Sequence, residues 1–69
     1  MPWINLKMWP GRTDEAKREL AEKTRDFLAR EMNIDRKYFA VTIEEILPER
    51  WDDELEEVPQ EQRIVWPEE

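Results

Sequence analysis

Between residues 2 and 9 apolar and polar positions alternate: Ile4, Leu6 and Met8 fall on one side, Trp3, Asn5, Lys7 and Trp9 on the other. That is the period of a strand with one covered face. Pro10-Gly11 stops it, and Gly11, the only glycine of the chain, stands where a sharp turn needs one. Thr13 then offers an N-cap oxygen, and Asp14 and Glu15 follow where acidic charge complements the unpaired first-turn amides. The spacing predicts a long helix, with Ala16, Leu20, Thr24, Phe27, Leu28 and Glu31 or Met32 on one face. Lys17, Arg18, Glu22, Lys23, Arg25 and Arg30 fall mainly on the wet face, and Asn33 closes the helix. Alternation returns over residues 39–47, with Phe39, Val41, Ile43 and Leu47 set against Ala40, Thr42, Glu44 and Ile46, and Pro48 ends this second strand. Strand, helix, strand with one crossover predicts an α/β fold, a single βαβ unit whose two parallel strands have a right-handed connection. The rest, residues 49–69, is acidic and interrupted by Pro59 and Pro67; residues 51–57 suit two helical turns and residues 63–66 a short edge strand.

This pattern leaves an energetic deficit. Two strands and one helix expose strand edges and a second sheet face, and such a unit is marginal alone. The 69 residues make one domain, a core at 2–51 with an acidic C-terminal extension at 52–69. Folding a chain of this size hides only about 60% of its surface. With no cysteine and no histidine, neither disulfides nor ordinary zinc sites supply the difference. Association with further copies does, and it reconciles four tryptophans with a chain that is 42% charged.

The net charge of −7 speaks against nucleic acid and anionic membrane surfaces, both of which need basic patches. No apolar run approaches the roughly 18 residues of a membrane span, and the start lacks the basic and apolar regions of a signal peptide. The expectation is a cytoplasmic protein. Triads, cysteine nucleophiles and phosphate-cradling glycine loops are missing. The acids of residues 51–57 lack the regularity of a Mg²⁺ or Ca²⁺ loop, so neither a metal nor a cofactor is expected.

Three stretches carry more. Met1-Pro2 opens the first strand, Pro10-Gly11-Arg12-Thr13-Asp14-Glu15-Ala16-Lys17 turns into the helix, and Leu47-Pro48-Glu49-Arg50-Trp51 follows the second strand. In this order and spacing, residues 1–51 resemble the 4-oxalocrotonate tautomerase family. The resemblance implies a cofactor-independent tautomerase acting on small enol and 2-keto acids, with Pro2, freed by removal of Met1, as its catalytic base. It places Arg12 in register with an arginine that binds the substrate carboxylate, and Trp51 with an aromatic that walls the pocket. Two departures stand out. Ala40 occupies the register of a second arginine that polarises the substrate carbonyl in the prototype, and Asp52-Asp53-Glu54-Leu55 replaces its glycine-rich hairpin. Pro48-Glu49-Arg50-Trp51 looks like the ending of the second strand in short tautomerases that assemble as dimers, so a homodimer is favoured and a trimer of dimers is the alternative.

Each residue also has a plainer role. Pro2 suits the first position of any strand, Arg12 a turn-region ion pair, and Trp51 a core or interface anchor. As chemistry, an α-amine titrates close to the range a general base needs, and a guanidinium grips a carboxylate through two parallel hydrogen bonds. Some relatives of this look hydrate or dehalogenate unsaturated acids with a carboxylate shortly after the second strand, and Asp53 lies near that place as a candidate water-activating residue. The competing class is a weakly catalytic oligomeric scaffold protein, a reading that Ala40 keeps open.

Overall fold

In the computed structural model, which describes residues 1–68, β1 (Trp3–Met8) and β2 (Ala40–Glu45) pair in parallel, from Trp3 beside Ala40 to Met8 beside Glu45. Both strands are shorter than the alternation suggests, yet the ladder continues past their ends. The Ala40 N–H donates to the Pro2 carbonyl at 3.1 Å and the Ile46 N–H to that of Met8 at 2.8 Å. Since a strand alternates its sides, Ile4 and Leu6 also turn their backbone groups to β2, whereas Trp3, Asn5 and Lys7 turn theirs to the open edge.

Between the strands runs α1 (Asp14–Met32). Thr13 Oγ1 accepts the Ala16 N–H at 3.1 Å. Asn33 ends the helix in the left-handed region at φ 55°, its N–H directed to the Ala29 and Arg30 carbonyls. A 3-10 turn, Arg36–Tyr38, leads into β2, and another, Pro48–Arg50, into the short helix α2 (Trp51–Glu56).

α1 lies across β2 and not β1. Its half-buried residues are Lys17, Ala21, Thr24, Arg25, Leu28 and Ala29. The helix is thus rotated from the expected face: Leu20, Phe27 and Met32 stay exposed, Phe27 at 52%, while Lys17 and Arg25 turn inward. Their aliphatic stems cover apolar surface as their heads find acids. Lys17 reaches Glu45 at 3.4 Å and Asp14 at 3.6 Å, and Arg25 reaches Asp26 at 2.9 Å. The apolar stripe has no partner within the chain.

On the other face α2 folds back over the end of the sheet, where Trp51 meets Trp9 edge-on at 6.5 Å and Glu54 meets Lys7 at 3.0 Å. This explains a second departure. Ile46, assigned by alternation to the polar side, is 6% exposed and the only buried apolar side chain among the described residues, while Leu47 is exposed. The helix expected over residues 51–57 is present as α2, but residues 63–66 form no strand. Arg63 donates to the Val58 carbonyl at 3.0 Å and the Glu56 carbonyl at 3.4 Å, capturing acceptors at the end of α2. The segment is thereby held against α2 with Ile64 and Val65 at 86% and 90% exposure. No helix among the described residues is long and apolar enough to cross a membrane.

Candidate active site

Pro2 precedes β1 and is half-buried, with Met1 beside it 94% exposed. Its carbonyl is fixed by Ala40, so its ring sits where the parallel strands begin. Next to it the Trp3 indole N–H donates to Thr42 Oγ1 at 3.1 Å, the Thr42 hydroxyl to Asn5 Oδ1 at 2.9 Å, and the Asn5 amide to Glu44 at 3.0 Å. The sheet face away from α1 is therefore a hydrogen-bonded polar ladder. α1 returns its C-terminal turn, with Arg30, to this same end, and the turn Arg36–Tyr38 adjoins it.

Arg12 belongs to the opposite end. It follows Gly11, whose φ of 129° is a conformation that side-chain-bearing residues rarely adopt. With Ala16, Glu19, Leu20 and Lys23 it lines an open hollow of about 270 Å³. Arg12 enters none of the ion pairs among the described residues, so the turn-region salt bridge is not formed and the guanidinium is available to an anion.

Trp51 is at this end too, half-buried against Trp9. With Lys7, Glu54, Leu55 and Val58 it lines an apolar crevice of about 60 Å³, too small for an organic acid, so much of its surface serves packing. Asp53 is exposed; the acid of α2 that turns to the sheet is Glu54. The hydrogen bond to Glu54 holds the Lys7 ammonium above the ordinary lysine pKa, against partial desolvation and with help from the charges of Glu54, Glu44 and Glu57. No three acidic side chains converge as a metal site requires among the described residues.

The four singled-out residues are thus not one cluster. β1 separates Pro2 from Arg12, Trp51 and Asp53 by its six residues, about 20 Å at a rise of about 3.3 Å each. No small acid bridges that gap within one chain. Arg36 and Lys37, beside Pro2, escaped notice in the sequence. Their signal is topological: in a parallel pair, whatever precedes the second strand lies at the start of the first.

A family model described as "Tautomerase enzyme" matches residues 2–52. No curated protein matches the chain at a significant level.

Proposed function

The chain belongs to the tautomerase family, the group of 4-oxalocrotonate tautomerase, and from that premise we propose that it interconverts enol and keto forms of 2-keto acids in a homodimer whose active sites each draw on both subunits. The observation that carries the shared site is the strand length separating Pro2 from Arg12.

The open edge of β1 is where a second copy fits. Trp3, Asn5 and Lys7 turn unpaired backbone groups outward there, and α1, lying over β2, leaves room for a neighbour beside its exposed Leu20, Phe27 and Met32. Two β1 strands related by a twofold axis run antiparallel, so Pro2 of one subunit meets Arg12 and Trp51 of the partner subunit. The polar ladder and the covering α2 offer little apolar surface for stacking three such dimers, which favours the dimer over the hexamer.

Removal of the exposed Met1 turns the Pro2 nitrogen from an amide into a secondary amine. Arg12 of the partner subunit holds the substrate carboxylate, Trp51 walls the entrance, and Pro2 accepts the enol O–H proton. The electron pair shifts to carbon, which takes the proton back from Pro2 and leaves the ketone. The unpaired state of Arg12 supports a binding role and weighs against an inert scaffold. The exposed position of Asp53 lends no support to water activation.

The test is subunit complementation on an arylenolpyruvate. Pro2→Ala, a primary amine in roughly the same place, should lose about 10²-fold in rate, and a variant that keeps Met1 should be almost inactive while folded. Mixing Pro2→Ala with Arg12→Ala, assayed at substrate well below KM where both parents are nearly inactive, should then restore about a quarter of native activity, because half of the dimers are mixed and each holds one intact site. Mixed dimers that form without any recovery would refute the shared site.

A further inference from the structure

The site lacks the second cation of the prototype, since Ala40 offers only a methyl group. The hydrogen bond from Ala40 to the Pro2 carbonyl at 3.1 Å brings the residues just before β2 to the catalytic end. Among them the turn Arg36–Tyr38 is fixed three times, by Asp35 Oδ1 accepting the Lys37 N–H at 3.0 Å, by the Tyr38 N–H on the Asp35 carbonyl and by the Phe39 N–H on the Arg36 carbonyl, both at 3.1 Å.

Three cations lie at this end, and their surroundings differ. The Arg30 guanidinium rests over the Phe27 ring at 5.7 Å, on the exposed stripe of α1. Arg36 leans towards α1, 3.8 Å from Asp26. The Lys37 ammonium sits 5.2 Å from the centre of the Tyr38 ring and meets no carboxylate among the described residues. Among the four lysines that sets it apart, since Lys7, Lys17 and Lys23 each hold an acid.

We propose that Lys37 is the oxyanion-stabilising residue of the Pro2 site, a substitute from the turn before β2 for the side chain missing at Ala40. The proposal rests on the reading of Pro2 as base. When Pro2 takes the enol proton, negative charge develops on the substrate oxygen, and Lys37 on its flexible four-carbon stem leaves the Tyr38 face to meet it. Lys37 keeps all its protons; the only proton transferred passes from oxygen to the Pro2 nitrogen and on to carbon. The site then takes an enol acid by two separate groups, the carboxylate by Arg12 of the partner subunit and the oxygen by Lys37.

Steady-state kinetics of the processed dimer on an arylenolpyruvate test this with Lys37→Ala, Lys37→Arg and Arg18→Ala, the last removing equal charge from an exposed position of α1 outside the Arg12 hollow. Lys37→Ala should lower kcat about 10²-fold with little change in KM. Lys37→Arg should restore most of that loss, and Arg18→Ala should match the native protein. A Lys37→Ala enzyme within about twofold of native, alongside a crippled Pro2→Ala, overturns the role of Lys37 and leaves the base in place. Equal losses in Lys37→Ala and Arg18→Ala assign the effect to overall charge and overturn it as well. A fully active Pro2→Ala removes the base and this proposal together.

Discussion

Arg12 owes its availability to two neighbours. Gly11 makes a turn that a side chain would strain, and Lys17 holds the nearby acids Asp14 and Glu45, so neither neutralises the arginine. A guanidinium that grips a carboxylate in ground state and transition state alike affects binding more than turnover. Arg12→Ala is therefore expected to raise KM for an enolpyruvate about 10-fold or more with a smaller change in kcat, read from initial rates over a range of substrate concentrations. With Ala40 in place of a second arginine, monocarboxylates should be better substrates than dicarboxylates.

Two local devices hold the elements that carry these residues. The Thr13 hydroxyl caps α1 directly after Arg12. Thr13→Ala should cost about 1 kcal/mol of stability, measured by urea unfolding. The second device is the pair of Lys7 with Glu54, which ties α2 to the sheet. Because the folded pKa of Lys7 is raised, its contribution is fully present below the unfolded lysine pKa and is lost as pH rises through the folded one. Tryptophan fluorescence, sensitive to the Trp9–Trp51 contact, should show α2 loosening in that alkaline window. Glu54→Gln should remove the transition, and persistence of the transition in this variant would contradict the assignment.

At the scale of the whole molecule the unit is incomplete by itself, with one buried apolar side chain among the described residues and exposed Trp3, Phe27, Met32, Ile64 and Val65. Dimerisation through the edge of β1 requires the backbone N–H of Asn5, which points away from β2. Asn5→Pro deletes that donor, and proline is tolerated on an unpaired edge. Sedimentation is expected to show a monomer for Asn5→Pro and a dimer for Asn5→Ala, which loses the bonds to Thr42 and Glu44 but keeps the N–H. A dimeric Asn5→Pro would place the interface elsewhere.

The alternation of Ile4, Leu6 and Met8, the cap at Thr13, the stop at Asn33 and the renewed alternation before Pro48 determined the strand, helix, strand order, since each is a local preference that neighbours in sequence express without help. Residue order likewise singled out Pro2, Arg12 and Trp51 by resemblance. Which face of α1 turns inward was not local: it depended on the helix lying over β2 alone, where the stems of Lys17 and Arg25 replace the apolar residues that periodicity favours. Residues 63–66 read as a strand until Arg63 found the carbonyls ending α2, a contact no pattern of hydrophobicity encodes. Ile46 is the buried residue although alternation puts it on the polar side, the side on which α2 meets Trp9 and Lys7. The tertiary structure also decided the placement of the site, because parallel strands set Pro2 and Lys37 at one end and Arg12 at the other, a strand's length apart.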